Sequence, residues 1–266
     1  MRIGPSLLGA LGLALTLAAC ENATTFPAGV PPGPSGTPGG PQGGVGDIDA
    51  EVLPGPDGGM TAGITGSVCQ VVDVRSPGNC AAVKQADMVV TFKNLNGTLL
   101  TTVKTDVNGK FKGAKPALNQ VVLEVSDPTK KLRNGAKVIT LAGVSSLDVQ
   151  LPVILQTYYD DMHMASGVTP EAGSGLVVVH LVKGAGGLAG ATLGPLHGAI
   201  AYYDTGNNEV TFTAVPPTSG RGFGIWFNVS PTVSAMYQVT NMSGMNESRD
   251  GNAFADAVTF LEETFL

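Results

Sequence analysis

The sequence predicts an all-β protein: two tandem antiparallel β-sandwiches carried behind a removable N-terminal segment and a disordered linker. Three observations predict it. Few stretches beyond residue 60 show helical periodicity. Short runs rich in Val, Thr, Ile and Phe recur instead between clusters of Gly, Asn, Asp and Pro. Several of those runs alternate apolar and polar residues, the mark of a strand with one buried and one wet face.

The N-terminus sets the address. Leu7 to Ala19 is an uncharged run of about 13 residues behind Arg2, too short for the roughly 20 residues of a membrane-spanning helix and built like a signal peptide. It ends in Leu17-Ala18-Ala19-Cys20, which resembles the lipobox of bacterial lipoproteins. That resemblance implies a cut before Cys20, a diacylglycerol on its sulfur and an acylated amine. Each buried CH₂ contributes about 0.8 kcal/mol, so two or three chains hold where one is marginal. Glu21, rather than Asp, follows the cysteine, which resembles export to the outer membrane. The expected location is therefore the bacterial cell envelope, with membrane lipid as a partner through Cys20. An ordinary secretory signal that happens to end near a cysteine is the competing reading.

Residues 26–59 contain 19 Gly or Pro in 34 positions. Such a segment buries no core, so it is expected to stay disordered. Its end-to-end distance is at least the coil value of about 30 Å, with a stretched limit near 100 Å. Asp47, Asp49, Glu51 and Asp57 make it acidic, with no base, so it should not collapse on acidic lipid. Residues 1–19 are thus read as signal, 20–60 as lipidated tether, and 61–266 as the folded part. That part carries 16 acids and 14 bases. A charge of about −2 gives no footprint for nucleic acid or anionic lipid.

Strands follow in order. Ile64 to Val74 comes first, then Met88 to Lys93, then Leu99 to Lys104. "TDVNGKF", residues 105–111, holds the tight-turn dipeptide Asn108-Gly109. Val121, Leu123 and Val125 share one face of the next strand. Leu147, Val149, Leu151 and Val153 do so in another, opposite Asp148 and Gln150.

Gly66-Ser67-Val68, then "AAVKQADMVVTF", then Thr105, Asp106, Gly109 and Phe111 resemble the carboxypeptidase regulatory-like domain. The resemblance covers about residues 62–155 and implies a transthyretin-like, seven-stranded sandwich for residues 61–156. Gln85-Ala86-Asp87 departs mildly from the family's Gly-Ala before its second strand. Residues 157–266 resemble a degenerate copy. Gly175-Leu176-Val177 parallels Gly66-Ser67-Val68, and "GGLAGATL", residues 186–193, is similar to another family stretch. "TSGRGFGIWFNVS", residues 218–230, takes the place of the turn and following strand. "AVTFLEETFL", residues 257–266, supplies the closing strand, and 241–252 is expected to be loop.

With Cys20 given to lipid, Cys69 and Cys80 remain as a pair. An oxidising compartment favours a disulfide, and closing a loop of about 12 residues contributes about 3 kcal/mol if unstrained. A metal pair is the weaker reading, since no histidine precedes residue 163.

No reaction is legible. The regulatory-like sandwich is the appendage of a carboxypeptidase and not its zinc domain. His163, His180 and His197 lack the following Glu of a zinc peptidase, and neither His-Glu-x-x-His nor Gly-x-Ser-x-Gly occurs. "YYDDMHM", residues 158–164, places Asp160, Asp161 and His163 together, as a hard-cation site would, but an interdomain linker with acidic residues capping turns is the favoured reading. Paired tyrosines recur at 158–159 and 202–203. An outward Tyr158 or Tyr202, near Trp226, is the candidate ligand-binding platform, suited to stacking on a sugar. The expectation is a non-catalytic, cofactor-free, lipid-anchored envelope protein with a structural or adhesive role toward another envelope protein; the alternative is a ligand- or glycan-binding lipoprotein.

Overall fold

The structure, a computed structural model, describes residues 63–75, 83–207 and 211–265. The signal, the tether, Cys20 and Cys80 lie outside the described residues. Pro54–Leu266 forms one compact unit, within which two sandwich lobes can be distinguished, and the all-β class holds.

The first lobe has seven strands: β1 (Gly63–Gln70), β2 (Val89–Lys93), β3 (Leu99–Lys104), β4 (Lys110–Ala114), β5 (Gln120–Ser126), β6 (Leu132–Thr140) and β7 (Leu147–Leu155). One sheet runs β6-β5-β2-β3 and the facing one β4-β1-β7. Between them Ile64, Val68, Val90, Phe92, Phe111, Leu123 and Leu151 form the core. A Cβ on Gly66 would sit 2.2 Å from the Val149 carbonyl and 2.5 Å from the Phe111 ring, so only glycine lets β1 pass there. In the β3–β4 connection Gly109 alone takes the left-handed conformation, with φ 69°. Asp106 organises that turn by accepting the N–H groups of Asn108 and Lys110 at 2.8 and 2.9 Å. The buried Thr105 hydroxyl donates to the Gln85 carbonyl at 2.8 Å and accepts the Met88 N–H at 3.0 Å.

A short helix, α1 (Gln156–Ser166), follows β7 directly. The stretch read as a linker is therefore helical. Its buried residues Tyr159, Met162 and His163 fall three and four apart, on one face, and Gly167 closes it in the left-handed conformation.

The second lobe comprises β8 (Gly175–Lys183), β9 (Gly186–Gly187), β10 (Thr192–Leu193), β11 (Ala201–Asp204), β12 (Phe212–Thr213), β13 (Phe223–Val229), β14 (Thr232–Thr240), β15 (Asn246–Ala253) and β16 (Ala257–Phe265). The sheet β12-β11-β13-β8-β16 faces the smaller sheet β10-β14-β15 across a core of Val177, Val179, Trp226, Tyr237 and Val239. The segment 241–252, expected as loop, is instead a turn at 241–245 and most of β15. The Asn241 side chain makes that turn by accepting the Ser243 and Met245 N–H groups at 3.0 and 3.1 Å.

The expected pairing was antiparallel throughout, and the structure differs at three places. β1 runs parallel to β7, and β16 runs parallel both to β8 and, through Ala257, Val258 and Thr259, to β6. β16 thereby makes one continuous sheet of the two lobes.

A third apolar core lies where sandwich logic would put water. β8 and β13 alternate their contacts: Val177, Val179 and Trp226 face the second lobe's interior, whereas Leu176, Val178, Phe223, Ile225 and Phe227 face outward. Tyr159 and Met162 of α1, with Val71 and Val74 beyond β1, cover that outward face. Both faces of these two strands are buried, which is why "LVVVHLV" and "FGIWF" read as continuous apolar runs rather than as alternation.

A shared core should make both lobes unfold together. In urea, far-UV circular dichroism, which reports both lobes, and Trp226 fluorescence, which reports the second, are expected to give one midpoint. Phe227→Ala should lower both midpoints, at a cost of about 3–5 kcal/mol. A dichroism transition that precedes the Trp226 signal would show the lobes to be independent.

Candidate functional site

The predicted aromatic platform does not assemble. Trp226 is fully buried in the second lobe, edge-on to Tyr237 at 4.9 Å, and its indole N–H donates to the Gly194 carbonyl at 3.1 Å. Tyr158 and Tyr202 lie across the sheet from it, packed against the third core. The Tyr202 ring meets Phe227 edge-on at 5.3 Å. Tyr203, its neighbour, points inward and holds β10 by accepting the Leu193 N–H and donating to the Leu193 carbonyl at 2.8 and 3.1 Å.

The three histidines are likewise dispersed. His163 is buried in the third core between Tyr159 and Phe227, with ring centroids 4.5 and 4.8 Å away. Its Nδ1–H donates to the Val168 carbonyl at 2.9 Å, while Nε2 is buried without a hydrogen-bond partner among the described residues. Burial pushes its pKa below the ordinary value, with Arg133 nearby acting in the same direction. His180 stacks flat on Phe223 at 4.2 Å, with Glu262 3.7 Å from Nδ1. Burial lowers its pKa too, against the pull of Glu262. His197 sits in an exposed turn, its Nδ1 3.3 Å from the Ser230 carbonyl. Asp160 and Asp161 point to solvent on α1, where Asp160 accepts from Gln156 at 2.9 Å. Among the described residues no group of three His, Cys, Asp or Glu side chains is arranged to hold a metal ion. Cys69 is buried where β1 leaves its sheet.

The densest polar cluster is one that the spacing of residues does not reveal. Asp73 and Arg75, just beyond β1, reach across to Asp204 at the end of β11 and to Arg221. The Arg75 guanidinium, 6% exposed, grips Asp73 through Nε and Nη2 at 2.9 and 2.8 Å and donates from Nη1 to the Asn207 carbonyl at 2.9 Å. The same Nη1 lies 3.6 Å from the fully buried Asp204 carboxylate. Asp204 also accepts the Ser219 hydroxyl at 2.9 Å and faces Arg221 at 3.4 Å. Burial alone would raise the Asp73 carboxyl, but hydrogen bonds and charge from Arg75 outweigh it and hold it below the usual range. The Tyr158 hydroxyl accepts the Val74 N–H at 3.2 Å, and burial pushes it up to about 12, so it stays a phenol. The cluster anchors the chain leaving β1 on to the second lobe. Its only sequence signals were the lone acid–base pair Asp73/Arg75 and the "YYD" at 202–204, since partners about 130 residues apart carry no local pattern.

Comparison with known proteins gives little more. No protein-family profile matches the chain, and no curated protein matches it. Among solved structures, the Bacillus anthracis TIE protein is 13% identical over 77% of this chain, with a TM-score of 0.28, and the chain spans 34% of that protein. The shaft pilin SpaA of Lactobacillus rhamnosus GG is 10% identical over 76% of this chain and 96% of its own, at a TM-score of 0.29. The major pilin subunit BcpA of Bacillus cereus is 8% identical over 77% and 98%, at 0.28. Likenesses this distant assign no family. Among the described residues no helix is long and apolar enough to cross a membrane.

Two predictions follow from the buried charges. Removing Arg75 leaves the Asp204 carboxylate buried with one cation fewer, so Arg75→Ala should destabilise by about 3 kcal/mol in urea titration. Folded His163 resists the proton that the unfolded chain accepts near pH 6.5. Below that pH the unfolded state therefore binds more protons, and stability should fall as acidification proceeds toward the lower folded pKa. The melting temperature should be level above about pH 7 and decline below about 6.5, with a shallower slope in His163→Phe; an unchanged slope would remove His163 from the account.

Proposed function

We propose that this chain is a non-catalytic, lipid-anchored protein of the bacterial cell envelope that presents a two-lobed β-sandwich for structural or adhesive contact with another envelope protein. The observation that carries the reading is how the chemically capable side chains are employed. Trp226, Tyr158, Tyr203, His163, Asp73, Arg75 and Asp204 each hold one element to another, most of them across the third core. That division of labour builds a rigid body. The glycan-binding alternative rests on Tyr158, Tyr202 and Trp226 forming one exposed patch, whereas the indole is buried and packs in a different core from the two tyrosines.

In this reading Cys20 carries the acyl chains, residues 21–60 lift the folded part off the bilayer, and Glu21 directs the protein to the outer membrane. Residues 61–156 are a carboxypeptidase regulatory-like sandwich, supported by the 4+3 arrangement of β6-β5-β2-β3 against β4-β1-β7 and by the Thr105, Asp106, Gly109 and Phe111 turn. Residues 157–266 are a divergent second sandwich that cannot bury the outer face of β8 and β13 alone. A Cys69–Cys80 disulfide belongs to the same picture. Cys69 is buried, and Cys80 is the cysteine that remains once Cys20 is given to lipid.

The test is Cys20→Ser in a bacterial host. The variant should leave the membrane fraction for the soluble one, and its mass should lack the acyl chains. A variant that stays membrane-bound would remove the anchor from the proposal.

A further inference from the structure

The sheet that joins the two lobes comes apart beside the joint. β6 and β16 pair only through Asn134, Gly135 and Ala136 against Ala257, Val258 and Thr259. Beyond that point β6 runs on beside β5 as far as Thr140, and β16 runs on beside β8 as far as Phe265. The two strands are parallel, so they part at their carboxyl ends. Among the described residues no strand lies between the backbone edges that face each other there. Crevices where neighbouring strands part in this way, or where two lobes meet, are common places for ligands to bind.

The fork holds a cleft of about 360 Å³. That lies toward the small end of the ligand-pocket range, about 300–1,000 Å³, and suits a small molecule rather than a polymer. Its two walls differ in kind. The first lobe contributes the Lys137 ammonium from β6 and the Gln150 amide from β7. Among the described residues Lys137 has no carboxylate within 4.0 Å. The second lobe contributes His180, Asn252, Thr259 and Glu262. Three of these carry an atom that the fold leaves unmet. Thr259 is 1% exposed, and its Oγ1 has no hydrogen-bond partner among the described residues. The same holds for the buried Asn252 Oδ1 and His180 Nδ1. Folded proteins satisfy nearly all such atoms, so three orphans from three strands around one cleft call for a guest. Glu262 adds a carboxylate that stays 3.7 Å from His180 Nδ1, too far for a full hydrogen bond. Glu263, also on the rim, is engaged by Arg249 at 3.6 Å.

We propose that this cleft binds a small zwitterion of the free amino acid type, its carboxylate on Lys137 and Gln150 and its ammonium on Asn252 Oδ1, Thr259 Oγ1 and Glu262. A purely anionic ligand meets Glu262, and a purely cationic one meets Lys137. A neutral sugar leaves both charges without a partner. The zwitterion gives each wall its opposite, and charge-assisted hydrogen bonds are the stronger kind. Bound there, it spans the fork and carries the seam between the lobes past Thr259. The inference goes beyond the envelope role and depends neither on lipid at Cys20 nor on a protein partner.

Thermal melting of the full chain with each of the standard free amino acids tests it. At about 10 mM, a hundredfold over a Kd of about 0.1 mM, a bound amino acid should raise the melting temperature by about 5–10 °C. Its methyl ester and its N-acetyl derivative, each lacking one charge, should bind at least about tenfold more weakly. Lys137→Met and Thr259→Val should each weaken binding by about the same factor. Both changes keep the side chain's length or shape and replace an unpaired polar group by an apolar one, so melting without ligand should hold or rise. Ligand-induced amide shifts should centre on 137–138 and 259–262. No response to any standard amino acid, or a response that survives either variant, would overturn the inference. Equal binding of glucose would overturn it in favour of a neutral hydroxylic ligand.

Discussion

The structure depends on the burial of both faces of β8 and β13. A two-sheet sandwich needs only one apolar face per sheet, yet these strands carry Leu, Val, Ile and Phe on both. Left to itself the second lobe would expose Leu176, Val178, Ile225 and Phe227 to water, each worth roughly 1.5–3 kcal/mol. Covering them dictates the rest. α1 must lie where it does, the chain leaving β1 must cross to the second lobe, and the Asp73, Arg75, Asp204 and Arg221 cluster must neutralise the charges this crossing brings together.

The same constraint explains why the candidate chemistry dissolves on inspection. Tyrosine, tryptophan, histidine and paired acids look functional when read along a chain, because each is rare and versatile. Here they sit where apolar surfaces meet and a residual polar group must be satisfied. The indole of Trp226 caps a carbonyl, the phenol of Tyr158 takes up an N–H, and His163 fills an aromatic gap with one nitrogen bonded. Their versatility lies in the pairing of a large apolar body with one polar atom, which suits a seam between lobes.

The first lobe was largely legible. Alternation located its strands, and the Thr-Asp-x-x-Gly-x-Phe turn is local chemistry: a buried hydroxyl, an acid accepting two N–H groups and one left-handed glycine. The second lobe was less so, for physical reasons. α1 is polar on most of its surface and owes its existence to the groove it fills, so its three buried residues at helical spacing were masked by the acids between them. β15 is nearly all polar and is held by its hairpin with β14, which no period reveals. The position of Trp226 followed from a parity that only the pairing of β13 with β8 fixes. The one signal available was the unbroken apolar run in both strands, which already says that neither face is wet.

The sheet order has a mechanical meaning. β1 begins at Gly63 and is the middle strand of its sheet, hydrogen-bonded to β4 on one side and to β7 on the other. A pull along that strand from its N-terminal end meets twelve paired positions at once, five with β4 and seven with β7. They are loaded in shear rather than peeled one by one. Resistance to such a pull is set by the unfolding rate and not by the folding equilibrium. A body attached to a surface through a central strand can bear drag that would unzip one attached through an edge.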